Sequence, residues 1–174
     1  DWRKLQQKDR QWPKRSTKSC GEMNSRFRPL LPGELYWSAL ARYKRRLGLT
    51  KGPYQQQIGV PISWRPTPVS VNYLDRLASR LPTELGYSAD YILNEHTLHR
   101  FYCLADRASA TSYHELPRSK KGGWRGCKLF SRAAQTLRFC PECVIEHRAI
   151  AGEAGWFTVH QVPGMNHCHL HLCP

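Results

Sequence analysis

Apolar side chains in the first half of the chain recur at spacings of three and four residues, the period of an amphipathic helix. The first stripe consists of Tyr36, Leu40, Tyr43 and Leu47. Pro32-Gly33-Glu34 precedes it, and a proline with an acidic neighbour favours a helix start. Gly48 follows it, where a left-handed residue often ends a helix. The pattern predicts a helix that opens at Pro32-Gly33-Glu34 and ends at Gly48.

Two further helices are predicted before the middle of the chain. Residues 51–69 are rich in Gly, Pro and Gln, which predicts a long loop. Ser70 is a suitable N-cap for a helix over residues 71–81, and Ser88 caps a third helix through Glu95. Because a glycine-containing turn joins these two short helices, they fit a helix-turn-helix, although most helical hairpins bind nothing.

The last third combines a helical segment with a strand-like run. Residues 144–151 are expected to form a short helix that ends in a glycine turn. Trp156 to Val162 contains aromatic and β-branched residues, which predicts a β-strand. Trp156 and Phe157 are expected to supply most of a small local core. The predicted fold class is therefore mainly α, with an N-terminal helical domain followed by a small α+β module.

The charge of the chain predicts a polyanionic partner. The chain carries 27 Lys and Arg against 13 Asp and Glu, a formal net charge of +14 at pH 7. This balance is typical of proteins that bind nucleic acid, although docking on an acidic protein is the alternative. Residues 118–139 hold seven bases and no acid, whereas residues 81–117 hold two bases and five acids.

Two basic clusters are the predicted nucleic-acid contacts. The first lies in the last turns of the first helix, where cations also complement the helix dipole. The second lies on a glycine-rich stretch whose bases can follow a phosphate backbone and whose tryptophan can stack; a solvated linker is the alternative. The predicted contacts are Arg42, Lys44, Arg45, Arg46, Arg118, Lys120, Lys121, Trp124, Arg125 and Lys128.

The spacing of cysteine and histidine predicts a metal site in the last third. Two residues separate Cys140 from Cys143, and two separate Cys168 from His171. A tight turn directs both members of such a pair at one point, so two pairs supply the four ligands of a tetrahedral structural zinc site. We therefore expect one Zn²⁺ ion, with no open coordination position and no chemistry of its own.

The sequence alone does not decide which residue is the fourth ligand. His167, His169 and Cys173 lie in the same turn as His171, which is preferred because it repeats the spacing of the first pair. Buried apolar cysteines or a redox pair are alternatives, but a redox CxxC would need a βαβ context. Seven cysteines beside these pairs suit zinc in a reducing cytoplasm better than a disulfide framework.

Composition divides the chain into four parts. Residues 1–28 are expected to form a basic, disordered arm, and residues 29–117 a helical, helix-turn-helix-like domain. Residues 118–139 are the basic linker, and residues 140–174 the zinc-finger module, which is expected to be truncated. No apolar run approaches the roughly 18 residues of a membrane span, so no membrane partner is expected.

Residues 29–172 resemble the TniQ family, which includes the TnsD target-selection proteins of bacterial transposons. The resemblance rests on Leu31-Pro32-Gly33-Glu34-Leu35, Asn72-Tyr73-Leu74-Asp75-Arg76-Leu77-Ala78, Glu95-His96-Thr97-Leu98, Arg138-Phe139-Cys140-Pro141-Glu142-Cys143, Gly155-Trp156 and Cys168-His169-Leu170-His171. It implies a non-enzymatic adaptor that selects a DNA target directly or through an RNA-guided targeting complex. It also implies recruitment of a AAA+ ATPase regulator, TnsC-like, in the bacterial cytoplasm near the nucleoid.

Two other functions compete with this interpretation. One is an HNH-type nuclease fragment with His167 or His169 as the base, but no carboxylate cluster is present to hold Mg²⁺. The other is a pure protein-interaction zinc module, in which acidic residues 81–117 dock a basic partner.

Overall fold

The computed structural model describes residues 26–61, 71–106 and 137–174, and these residues form helices and turns. Within these ranges the elements are α1 Tyr36–Leu47, α2 Lys51–Gln57, α3 Leu74–Ala78, a 3₁₀ helix Thr83–Leu85, α4 Ala89–Glu95, α5 His99–Asp106, α6 Pro141–Ala151 and α7 Thr158–Gln161. Among the described residues, β pairing is limited to one antiparallel bridge between Glu34 and Phe157. The mainly helical class is confirmed, whereas the helix-turn-helix stays a prediction.

Helix α1 contributes more residues to the helical core than any other described helix. Tyr36, Leu40 and Tyr43 of its apolar stripe are buried, and Leu47 is partly buried. Gly48 ends the helix in the left-handed conformation with φ of 63°, as the sequence predicts. The helix begins at Tyr36 rather than at Pro32-Gly33-Glu34, because Glu34 lies in a preceding turn. The core around α1 includes Leu35, Leu40, Tyr43, Ile58, Leu74, Leu77, Ile92 and Leu93.

The loop predicted for residues 51–69 is wrong over its first part, which forms α2. Pro53 is the third residue of this helix, within the first turn, where a missing N–H leaves no hydrogen bond unmade. Tyr54 is buried against the core, and Ile58 follows it at full burial. Tertiary packing therefore outweighs the poor helix propensity of the segment.

The second predicted helix is shorter than expected, and the third is confirmed. Helix α3 begins at Leu74 after Tyr73, which has a left-handed φ of 68°. Ser70 lies outside the described residues. Helix α4 has the predicted cap, because the Ser88 hydroxyl accepts a hydrogen bond of 3.0 Å from the Tyr91 amide.

The strand predicted from Trp156 to Val162 is wrong, since Thr158–Gln161 is helical. Aromatic and β-branched residues favour a strand only where another strand pairs with them, and here Phe157 alone forms a bridge. The Gln161 amide group instead bonds both the amide and the carbonyl of Arg138, at 3.1 and 2.7 Å. This contact fixes the short helix beside the start of the module.

The C-terminal module, residues 140–174, packs directly on the N-terminal end of α1. The Leu35 amide donates to the Trp156 carbonyl at 2.8 Å, and the Trp156 amide donates to the Ser38 hydroxyl at 2.9 Å. The Trp156 ring lies 5.5 Å from the Trp37 ring. Trp156 therefore packs against the helical core, and not within a core of the module as the sequence predicts, whereas Phe157 packs on His147 inside the module.

Candidate metal centre and basic surface

Two short backbone turns bring the four predicted metal ligands together. Cys140 is the N-cap of α6, and Cys143 lies in the first turn of that helix. A tight turn contributes Cys168 and His171, with the Leu172 amide donating to the Cys168 carbonyl at 2.9 Å. The ligand atoms of these four residues all lie within 4.8 Å of one another, and the three cysteines are buried.

The spacing of the donor atoms fits a tetrahedral zinc ion. Zn–S bonds of about 2.3 Å and Zn–N bonds of about 2.0–2.1 Å place sulfur pairs about 3.8 Å apart and sulfur–nitrogen pairs about 3.6 Å apart. The Cys143 and Cys168 sulfurs are 3.6 Å apart. The Nδ1 atom of His171 lies 3.4, 3.3 and 3.6 Å from the sulfurs of Cys140, Cys143 and Cys168. A buried Cys3His cluster of this kind can hold a metal ion and is consistent with zinc.

The electrostatics of the cluster also favour a cation. Burial raises the pKa of Cys143, and the neighbouring Cys168 and Cys140 sulfurs raise it further. Burial acts in the same direction on Cys140, but hydrogen bonds from Cys173 and the Cys143 amide outweigh it and lower the Cys140 pKa to about 6. Three thiolates at this spacing repel one another, so a bound cation would stabilise them together.

The structure separates the candidates for the fourth ligand. His171 belongs to the group, and its second nitrogen lies 3.2 Å from a Glu146 carboxylate oxygen, a contact that orients metal-binding histidines. The side chains of His167 and His169 are exposed and outside the group. Cys173 borders the group, with its sulfur 2.9 Å from the Cys140 sulfur.

The first basic cluster is only partly available for nucleic acid. Arg42 is buried, and its guanidinium binds Glu34 through two hydrogen bonds of 2.9 and 2.6 Å. Burial lowers the Arg42 pKa, but Glu34 and Glu153 more than offset this and raise it. Contrary to the prediction, Arg42 is therefore committed to an internal ion pair and presents no free phosphate-binding group.

The other members of this cluster differ in exposure. Arg46 pairs with Glu153 and donates to the Arg26 carbonyl at 3.0 Å, so it is also partly committed. The Lys44 ammonium lies 5.6 Å from the centre of the Tyr54 ring, and Arg45 is exposed. The predicted linker contacts lie outside the described residues: Arg118, Lys120, Lys121, Trp124, Arg125 and Lys128.

Sequence reasoning missed the acidic residues that organise this surface. Glu34 is fully buried and also accepts hydrogen bonds from the Ser38 hydroxyl and the Leu31 amide, at 2.7 and 3.1 Å. Glu153 pairs with Arg28, Arg42 and Arg46. Glu34 lies in the turn before α1 and Arg42 lies on the helix, so helical periodicity does not mark their pairing, and no local pattern marks Glu153.

The fold and the site define a helical protein with a compact Cys3His module docked on its first long helix. A model of the TniQ family matches residues 26–174, which include every described contact between the module and α1. This chain belongs to the TniQ family, so the resemblance seen in the sequence is confirmed and the protein has a transposition-associated role.

Comparison with curated proteins and with solved structures gave no match. In the part of the chain that the structure describes, no helix has the length and apolar character needed to cross a membrane.

Proposed function

We propose that this protein is a non-enzymatic adaptor in target-site selection for DNA transposition. It associates with DNA and recruits a AAA+ ATPase regulator of the TnsC type in the bacterial cytoplasm, near the nucleoid. Either DNA itself or an RNA-guided targeting complex directs it to the target. The family match over residues 26–174 is the observation that carries this proposal.

One structural Zn²⁺ ion, held by Cys140, Cys143, Cys168 and His171, would fix the C-terminal module. Four protein ligands leave no position for a reactive water, so the ion would supply folding energy rather than catalysis. This donor set supports an adaptor over the nuclease alternative. His167 and His169, the two candidate bases of a nuclease, are exposed and stand outside the ligand group.

The adaptor function is tested by pull-down with a purified TnsC-like ATPase, in the presence and absence of DNA. We expect the zinc-loaded protein to retain the ATPase and to form a larger complex when DNA is added. A His169→Ala variant serves as the control, because this exposed side chain lies outside the ligand group and should leave retention unchanged. Failure to retain the ATPase under either condition would contradict the adaptor proposal.

A further inference from the structure

A cleft of about 880 Å³ lies between helix α1 and the C-terminal module. We call it the arginine cleft. On one side it is lined by α1, and on the other by α6 and residues 152–156. Five arginines line it, namely Arg28, Arg42, Arg45, Arg46 and Arg148. Neither α1 nor the module forms this cleft alone.

The cleft carries more positive charge than its acidic residues neutralise. Among the described residues of its lining, Glu153 is the one carboxylate, and Glu34 lies beneath it as the buried partner of Arg42. Five guanidinium groups against these two carboxylates leave a formal excess of three positive charges. Burial lowers the pKa of Arg46, and the charges of Arg42 and Arg28 contribute in the same direction despite Glu153.

The arginines divide into an inner and an outer set. Arg28, Arg42 and Arg46 all contact Glu153, which holds them in place at the interface. Arg45 on α1 and Arg148 on α6 are exposed on opposite sides of the cleft. An anion in the cleft would therefore meet guanidinium groups from both sides.

An aromatic side chain completes the lining. Phe139 is 57% exposed, although it directly precedes the metal ligand Cys140. Trp156 also lines the cleft, but its ring is engaged with Trp37. An exposed phenylalanine ring beside exposed arginines gives both a stacking surface and phosphate-binding groups, the combination that binds single-stranded nucleic acid.

We propose that the arginine cleft binds a single-stranded nucleic-acid segment, with Arg45 and Arg148 on its phosphates and an unpaired base against Phe139. This inference rests on the proposed association with DNA and assigns it to a particular surface. Arginine suits the task because its planar guanidinium binds phosphate through two parallel hydrogen bonds. An acidic peptide would satisfy the arginines but would leave the exposed ring without a stacking partner.

The test is fluorescence anisotropy with the full chain, using a labelled thymidine 12-mer, the corresponding duplex and a ten-residue polyglutamate peptide. We expect the Arg45→Ala/Arg148→Ala double variant to bind the single strand at least tenfold more weakly at low salt. The slope of log affinity against log salt should fall by about 0.7 for each phosphate that the variant no longer neutralises. Arg100→Ala is the matched control, because this exposed arginine on α5 does not line the cleft.

Phe139 supplies the second arm of the test. Phe139→Ala should weaken single-strand binding by about tenfold and duplex binding much less, since the variant has no aromatic ring on which a base can stack. Phe139→Trp should restore binding, because it keeps a stacking surface. Metal content of each variant, measured by elemental analysis, separates a binding defect from a damaged module.

The outcomes distinguish the proposal for the arginine cleft from the wider proposal that the protein associates with DNA. Binding that is salt-dependent but equal in the wild type and the double variant would overturn the cleft and leave DNA association in place. No binding of the wild type to either nucleic acid would overturn both. Tighter binding of polyglutamate than of the 12-mer would assign the cleft to an acidic peptide instead.

Discussion

Leu172 has a left-handed backbone conformation, with φ of 56°, directly after the candidate ligand His171. Its amide closes the turn by donating to the Cys168 carbonyl at 2.9 Å. The side chain is 76% exposed, so packing does little to compensate for the backbone conformation. A residue with a Cβ atom in this region costs about 1–2 kcal/mol, which glycine avoids.

Leu172→Gly should therefore stabilise the zinc-loaded protein by about 1 kcal/mol, a gain reduced by the greater chain entropy of glycine when unfolded. Thermal unfolding of the zinc-loaded variant measures the effect. Leu170→Gly is the matched control, because this exposed residue of the same turn has no positive φ and should gain nothing. Equal melting temperatures for Leu172→Gly and the wild type would contradict a strained backbone at this position.

The role of a single residue is predictable where residues a few positions away in the sequence indicate it. The spacing of Cys140 and Cys143 marks them as candidate ligands, because a turn of four residues brings both sulfurs to one point. The preference for His171 over its neighbouring histidines rests on the same local geometry. Glu153 carries no such signal, since the arginines it contacts lie more than one hundred positions earlier.

At the scale of elements, one buried ion pair lies at the join between α1 and the C-terminal module. Glu34 and Arg42 have side chains that are 0% and 7% exposed, and the module backbone passes directly over them. A Cβ atom at Gly155 would lie 2.6 Å from a Glu34 carboxylate oxygen, so only glycine fits there. Glu34 and Arg42 on one side of the join and Gly155 on the other therefore specify how closely α1 and the module approach each other.

Removal of one partner of the Glu34–Arg42 ion pair should lower the free energy of unfolding more than removal of both partners. Arg42→Met leaves a buried, uncompensated carboxylate and should lower the free energy of unfolding by about 3–5 kcal/mol. The double variant Glu34→Met/Arg42→Met should be less destabilised than this, because no lone charge remains. Urea unfolding of the two single variants and the double variant measures the coupling.

The exposed pair of Arg100 with Glu95 provides the comparison, since Arg100→Met should cost less than about 1 kcal/mol. If each single variant of the buried pair lowered the free energy of unfolding by no more than this, the ion pair would not stabilise the contact between α1 and the module.

Element boundaries were predictable where the chain carries its own stop signal. Gly48 ends α1, and Ser88 caps α4, because both act through hydrogen bonds within a few residues. Helix α2 and helix α7 were missed, since their conformations depend on burial of Tyr54 and on the contact between Gln161 and Arg138. These contacts join distant segments, which periodicity within a short window does not detect.

At the scale of the whole molecule, a chain of contacts connects the Cys3His cluster to the helical core. The candidate ligand Cys140 caps α6, α6 leads through Gly152 to Glu153, and Glu153 pairs with arginines on and before α1. Trp156 follows and packs on Trp37. The division of the chain into a helical domain, a basic linker and a zinc-finger module stays a prediction, and within the described residues these contacts couple the module to α1.

Chelation of zinc should therefore affect more than the module. We expect about one zinc per chain by elemental analysis, and faster hydrogen exchange of the Leu35, Trp156 and Thr158 amides after chelation. Exchange within α3 and α4 should change little, because the described hydrogen bonds between the module and the helical core go to α1 and the residues before it. Unchanged exchange at all three amides would contradict the coupling, and absence of bound zinc would contradict the ligand assignment.

The contact between the Ser38 hydroxyl and the Trp156 amide spans 118 positions of the chain. During synthesis at about 5–20 residues per second, the first helix would wait for roughly 6 to 24 seconds before its covering segment is made. Trp37, which packs on Trp156, and the Glu34 carboxylate, which lies against Gly155, lack this cover throughout that interval. A nascent chain of this protein thus exposes an apolar face of α1 near the ribosome exit. A chaperone that covers this face should raise the yield of native molecules.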